Sequence, residues 1–106
     1  MNIDLHIHTT ASDGSLTPAQ TVKEAVAAGL RVISIADHDT TSGVAKAIKA
    51  QKLYDIIVVP GVEISASHPK GEAHILVVVH PVAENVRLSL RVRCTDLHAR
   101  HYDDVV

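Results

Sequence analysis

The sequence predicts an α/β fold with parallel strands, and three observations support this prediction. Strand-like and helix-like segments alternate along the first 80 residues. Helix start and stop signals separate these segments, and polar residues cluster directly after the strands. A repeated strand–helix–strand order is typical of parallel strands joined by right-handed crossovers. The pattern accounts for half of a barrel-like or open α/β domain.

The first strand is predicted over residues 3–8, where apolar and polar side chains alternate. Asp4, His6 and His8 therefore share one face. Residues two apart on a strand have Cα atoms about 6.6 Å apart, so the two imidazoles could converge on one ion. The alternative is an ordinary polar strand face in contact with water.

The first helix is predicted from its N-terminal signal, the segment 17–20, Thr-Pro-Ala-Gln. The threonine and glutamine form a capping box, and proline suits the first helical position. Val22, Ala25 and Val26 then form a buried stripe. Gly29 indicates the end of the helix.

A second strand and a second helix follow the same pattern. Residues 32–36 are a buried apolar strand, residues 37–40 form a polar loop, and a helix extends from about Ser42 to Leu53. Val44 and Ile48 face the core in this helix, whereas its lysines form a solvated face.

Two further strands are predicted beyond the second helix. Residues 56–59 form a strand that ends at Pro60-Gly61, after which residues 62–64 return to an extended conformation. Residues 74–79 are dominated by β-branched side chains and predict a central strand.

Length and composition exclude several classes of protein. A chain of 106 residues with one cysteine, Cys94, is expected to form a single domain without an internal disulfide. No signal peptide is recognisable at the N-terminus, and the longest apolar run, residues 75–79, is too short to span a membrane. With a net charge of −2 and no basic cluster stronger than Arg87, Arg91 and Arg93, the chain lacks a large nucleic-acid footprint. We expect a cytoplasmic protein.

Metal-binding side chains follow the strands, at the edge where α/β folds build their active sites. Asp13 lies in a Ser-Asp-Gly turn and His38 between two aspartates that could orient its ring. Glu63 is flanked by apolar residues. Burying its carboxylate among them would cost free energy unless it were paired or coordinated. His74 opens the fourth strand. The ordinary alternatives are a turn residue for Asp13, a helix-capping loop for His38, solvent exposure for Glu63 and a strand cap for His74.

Taken together, these imidazoles and carboxylates suit Mn²⁺, Zn²⁺ or Fe²⁺ better than Ca²⁺. The six candidate ligands are more than one ion needs, so a cluster of two or three divalent ions is the economical interpretation. The candidate ligands are His6, His8, Asp13, His38, Glu63 and His74. Two metals about 4 Å apart are the usual means of cleaving phosphate esters.

The same residues lie in motifs that resemble those of the PHP (polymerase and histidinol phosphatase) family, in its stand-alone phosphoesterase branch. The similarity covers roughly residues 1–80 in order and spacing; its motifs are DLHIHT at 4–9, SDG at 12–14, ADHDT at 36–40, PGVEIS at 60–65 and HIL at 74–76.

The resemblance implies a distorted (β/α)₇ barrel with a two- or three-metal centre. It implies that His6 and His8 bind the first ion, that Glu63 bridges the first and second, and that His74 binds the second. Asp13 and His38 would bind the third ion. The catalytic group would be a metal-bound water rather than a side chain.

The family normally continues well beyond this length, so the chain is interpreted as the N-terminal portion of the barrel. Residues 1–80 form the PHP-like portion, and residues 81–106 form a divergent C-terminal segment. His80, Asp96 and His98 resemble late motifs but come too early for the intervening βα units, which favours chance similarity over a contracted or partner-completed barrel. An incomplete barrel leaves sheet edges unpaired, which favours self-association.

The leading hypothesis is a metal-dependent phosphoesterase. Its substrate would be a phosphate ester of a small nucleotide or a short oligonucleotide end, hydrolysed by metal-activated water. Two alternatives are a non-catalytic PHP metal-binding domain, such as a module attached to a polymerase, and a degenerate or truncated fragment that binds metal poorly.

Overall fold

The computed structural model of the chain describes residues 2–78. The elements in chain order are strand β1 (Ile3–Ile7), helix α1 (Pro18–Ala27), strand β2 (Val32–Ile35), helix α2 (Ser42–Gln51), strand β3 (Ile57–His68) and strand β4 (Gly71–Val78). The four strands form one sheet in the order β1-β2-β3-β4. The predicted α/β class is confirmed.

Helix α1 begins with the capping box that the sequence predicts. The Thr17 hydroxyl accepts a hydrogen bond from the Gln20 N–H at 3.2 Å, and the Gln20 side chain accepts one from the Thr17 N–H at 3.0 Å. Pro18 occupies the first turn. Just beyond the helix, Gly29 has a φ of 81°, a left-handed conformation that glycine adopts without steric cost. The predicted signals at both ends are therefore confirmed.

Strands β1, β2 and β3 run parallel, and the two helices cover one face of the sheet. The core between them contains Val22 of α1, Ile33 and Ile35 of β2, Val44 of α2 and Val58 of β3, all of them buried. This packing directs the odd-numbered residues of β2 towards the helices. It therefore leaves the opposite face of the sheet for the polar side chains of β1 and β3.

The prediction that the third strand ends at Pro60-Gly61 is wrong, because β3 continues to His68. Pro60 pairs with Ile35, the last residue of β2, so its missing N–H falls at the end of that ladder. From Gly61 onward β3 pairs with β4 instead. A Cβ on Gly61 would touch the Ser34 hydroxyl and lie 3.0 Å from the Ile35 carbonyl oxygen, so glycine permits this close approach.

The fourth strand departs from the parallel pattern of the first three. Strand β4 runs antiparallel to β3, and His68 pairs with Gly71 across a turn of two residues. A parallel strand would need a crossover of a dozen or more residues, which this turn cannot supply. In the described part of the sheet β4 is the last strand, and Ile75 is 38% exposed.

Candidate metal centre

The two histidines of the first strand lie next to each other on one side of the sheet. His6 belongs to β1 and His8 follows it directly, and their rings stack with centroids 5.1 Å apart. Both rings approach the same oxygen of Glu63: the distance from Oε1 is 2.5 Å to His6 Nε2 and 3.7 Å to His8 Nε2. The structure thus gives this pair the convergence that a chelate requires.

Glu63 occupies the middle of the cluster and is only 6% exposed. Its backbone is held by the loop after β2, because its N–H donates to the Asp37 carbonyl at 3.0 Å and its carbonyl accepts from the Asp39 N–H at 2.8 Å. The second carboxylate oxygen, Oε2, lies 2.7 Å from His38 Nδ1 and 3.3 Å from His74 Nδ1. One buried carboxylate therefore contacts imidazoles from four separate positions of the chain. These contacts offset the free energy that burying its charge would cost.

Asp13 projects from the exposed turn after β1 towards two of the rings. Its Oδ1 accepts a hydrogen bond from His8 Nδ1 at 2.6 Å, and its Oδ2 lies 3.1 Å from His38 Nε2. The His8 hydrogen bond, aided by the charge of His38, lowers the pKa of Asp13 below its ordinary value. Asp13 is therefore a carboxylate, and hence an available ligand, at neutral pH.

His38 and His74 complete the cluster from the loop after β2 and from the middle of β4, which begins at Gly71 and not at His74 as predicted. The His38 ring meets the His8 ring edge-on with centroids 4.4 Å apart and the His74 ring at 5.6 Å. His74 pairs with Ser65 across the β3–β4 hairpin, which places it on the face of β3 that carries Glu63. The antiparallel strand thus delivers His74 to the site.

All six side chains that the sequence singles out meet at one place, in three overlapping groups. The donor atoms of each group lie within 4.8 Å of one another; the groups are His6, His8 and Glu63, then His8, Asp13 and His38, and finally His38, Glu63 and His74. Four imidazoles and two carboxylates form a mixed nitrogen and oxygen donor set that fits Mn²⁺, Zn²⁺ or Fe²⁺. The arrangement supports the use of divalent metal, whereas the role of each residue as a ligand stays a prediction.

The aspartates beside His38 act differently from the expectation that they orient its ring. The Asp37 carboxylate accepts hydrogen bonds from Thr9 and Ser12, and Asp39 accepts one from the Ser65 N–H at 2.8 Å. Thr9 has no predicted role. No sequence signal links Thr9 to Asp37, because the two residues are 28 positions apart and meet only when β1 and β2 pair.

The three late residues His80, Asp96 and His98 lie outside the described residues. The whole predicted C-terminal segment, residues 81–106, also lies outside them, and the division at residue 80 stays a prediction. Within residues 2–78, neither helix has the length and apolar character needed to cross a membrane. The cytoplasmic location likewise stays a prediction.

Comparison with known proteins identifies the family and shows how much of it the chain represents. The family model described as PHP domain matches residues 4–98. A 5'-3' exoribonuclease of Haemophilus influenzae is 44% identical over 73 residues, which are 69% of this chain and 27% of that protein. A 3',5'-nucleoside bisphosphate phosphatase of Chromobacterium violaceum is 40% identical over 75 residues, 71% of this chain and 26% of that protein. The chain thus spans about a quarter of the length of these curated relatives.

A solved structure supports the fold independently. The crystal structure of a protein of Bifidobacterium adolescentis, provisionally described as a metal-dependent phosphoesterase, superposes with a TM-score of 0.69 at 37% sequence identity. The superposition covers 74% of this chain and 27% of that one. The described α/β unit is therefore similar to one part of a larger fold.

Proposed function

The chain belongs to the PHP domain family, and on that premise we propose that it forms the metal-binding part of a phosphoesterase. The proposed substrate is a phosphate ester of a small nucleotide or of a short oligonucleotide end. The observation that carries the proposal is the buried Glu63 carboxylate, which contacts His6 and His8 through one oxygen and His38 and His74 through the other.

The donor arrangement suits a cluster of ions better than a single ion. Glu63 belongs to two of the three ligand groups, so its two oxygens can serve neighbouring cations. We assign the first ion to His6, His8 and Glu63, the second to Glu63 and His74, and the third to Asp13 and His38. In the structure His8 also belongs to the group that would hold the third ion, and His38 also belongs to the group that would hold the second ion.

Two or three divalent ions bound here would activate a water as the nucleophile and neutralise charge on the phosphate oxygens. The protein's own contribution is to hold the ligands in place and to leave the site accessible. The side chains of His6 and His74 are 48% and 45% exposed, whereas that of Glu63 is 8% exposed. A phosphate group can therefore approach from the histidine side while Glu63 secures the base of the site. This arrangement needs no serine or cysteine nucleophile.

The relatives support the substrate class. One is named for the removal of nucleotides from a 5' end of RNA and another for a nucleoside bisphosphate. Both names describe phosphate esters of nucleotides. We extend that class, and neither particular substrate, to this chain.

The test is hydrolysis by the full chain, followed as phosphate released from a bisphosphate and as phosphate or mononucleotide released from an RNA. It is run with Mn²⁺, with Zn²⁺ and, separately, with a chelator. Suitable substrates are a nucleoside 3',5'-bisphosphate and a short RNA with a 5' phosphate. We expect hydrolysis of at least one of them that depends on the metal, and its loss in Glu63→Gln. Glu24→Gln, a change at an exposed position of α1, is the matched control and is expected to keep full activity.

A second function deserves the same assay because the chain spans only about a quarter of its relatives. A non-catalytic metal-binding domain would bind the ions yet leave both substrates intact. Ion binding without hydrolysis would therefore refute the phosphoesterase and favour this alternative.

A further inference from the structure

Asp37 is a buried carboxylate at the site that belongs to none of the three ligand groups. It is 1% exposed, and both of its oxygens accept hydrogen bonds from the loop after β1. Oδ1 accepts from the Thr9 N–H at 2.6 Å and from the Ser12 hydroxyl at 2.7 Å, and Oδ2 accepts from the Thr9 hydroxyl at 2.8 Å. All three donors precede the ligand Asp13 by one to four positions.

The backbone around Asp37 connects the other ligand-bearing segments. Its carbonyl accepts a hydrogen bond from the Glu63 N–H at 3.0 Å, and the preceding Ala36 N–H donates to the Ile7 carbonyl at 2.8 Å, next to His8. His38 is its immediate neighbour. One residue therefore links the ends of β1 and β2 to the middle of β3.

The loop that Asp37 holds has a tight internal structure of its own. The Thr9 carbonyl accepts hydrogen bonds from the N–H groups of Ser12 at 3.0 Å and Gly14 at 2.8 Å, and the Thr9 hydroxyl accepts one from Ala11 at 3.1 Å. Thr9 is completely buried. These hydrogen bonds within the loop define its shape. The contacts of Thr9 and Ser12 with Asp37 hold the loop in position relative to β2.

We propose that Asp37 is a positioning residue that sets the place of Asp13 and thereby controls ion binding at the group His8, Asp13 and His38. It acts through hydrogen bonds and does not bind metal itself. This inference rests on the proposed metal centre. The groups His6, His8, Glu63 and His38, Glu63, His74 do not contain Asp13, so they depend less on Asp37.

Two substitutions separate hydrogen bonding from charge. Asp37→Ala removes all three acceptor contacts. Asp37→Asn keeps an oxygen for the Thr9 N–H and the Ser12 hydroxyl, and its amide can donate to the Thr9 hydroxyl, which has a free lone pair. Positioning by hydrogen bonds therefore predicts a large effect of alanine and a small effect of asparagine.

The experiment is a Mn²⁺ titration of the full chain and of each variant, with the bound ions counted by elemental analysis. We expect Asp37→Ala to weaken one ion by about 10- to 100-fold, as for other residues that orient metal ligands, and to leave the remaining ions close to the parent affinity. Asp55→Ala is the control, since Asp55 is exposed and pairs with Arg31 at 3.0 Å. Thr9→Val removes the hydroxyl that donates to Asp37 Oδ2 and accepts from the Ala11 N–H, and it removes no contact of Asp13. It is expected to weaken the same ion by less, so it decides the question if Asp37→Ala does not fold.

Amide hydrogen exchange of the metal-free chain provides a second measurement. We expect Asp37→Ala to speed exchange at Ser12 and Gly14 while Ile33 and Val58 keep their protection. Unchanged ion binding in Asp37→Ala, equal loss of every ion, or equal effects of alanine and asparagine would each overturn the proposal. A parent chain that binds no Mn²⁺ would refute the metal centre and the proposed function instead, and the exchange rates would still decide whether Asp37 anchors the loop.

Discussion

The substitutions Glu63→Gln and Asp13→Asn are expected to remove different numbers of ions. Glu63 belongs to two of the three ligand groups, whereas Asp13 belongs to one. Each amide keeps the shape of the side chain but removes its negative charge, and it replaces one carboxylate oxygen with an NH₂ group that donates hydrogen bonds and does not bind a cation. The lost charge weakens every ion that the side chain contacts. We therefore expect Glu63→Gln to lose two ions and Asp13→Asn to lose one.

The effect on stability follows from the same count. An ion that binds only the folded chain raises the free energy of unfolding by about 2.7 kcal/mol at a concentration of 100 times its Kd. Three independent ions would add about 8 kcal/mol at that saturation. Asp13→Asn would then keep about 5 kcal/mol of this increment and Glu63→Gln about 3 kcal/mol.

The assay is urea denaturation with and without saturating Mn²⁺, combined with an ion count for each variant. Glu24→Gln again serves as the control. We expect Mn²⁺ to raise its free energy of unfolding by as much as it raises that of the parent chain. If Asp13→Asn lowered the increment as much as Glu63→Gln did, Glu63 would not be shared between ions, and the division into overlapping groups would be wrong.

Three further predictions concern the scaffold beneath the site. Ser34 has a buried hydroxyl without a hydrogen-bond partner among residues 2–78, so Ser34→Ala should leave the free energy of unfolding unchanged or raise it; a urea midpoint well below that of the parent would contradict this. Gly61→Ala would place a Cβ against Ser34 and 3.0 Å from the Ile35 carbonyl oxygen, and should cost about 1–3 kcal/mol in the same titration. An unchanged urea midpoint in Gly61→Ala would show that β2 and β3 move apart at little cost to admit the Cβ. Thr17→Ala should cost about 1 kcal/mol through the lost capping box of α1, seen as a lower thermal midpoint, and a neutral result would mean that the cap contributes little.

The first half of the chain was predictable because its signals are local. The alternation of residues 3–8 places His6 and His8 on one side of β1 whatever the rest of the chain does. The capping box of α1 likewise involves residues only three apart. The elements from β1 to α2 and the choice of candidate ligands depend on signals of this kind.

The second half was less predictable because strand pairing is not a local property. Proline and glycine at positions 60 and 61 usually end a strand, yet β3 continues because it exchanges one partner strand for another at that point. The apolar character of residues 74–79 suggested a central strand, whereas the two-residue turn before Gly71 makes β4 antiparallel and partly exposed. The candidate ligands meet although β4 runs antiparallel, since side chains of paired residues point to the same face in either arrangement. Their role as ligands stays a prediction.

The sequence alone determined which chemical groups are available and on which face of each strand they lie, because side-chain alternation and helix caps act over a few residues. The tertiary structure decided how those groups meet: Glu63 becomes buried between four imidazoles, and Asp37 reaches Thr9 rather than His38. Such contacts join residues tens of positions apart. They exist only once the register of the sheet is set, and that register results from packing the whole α/β unit.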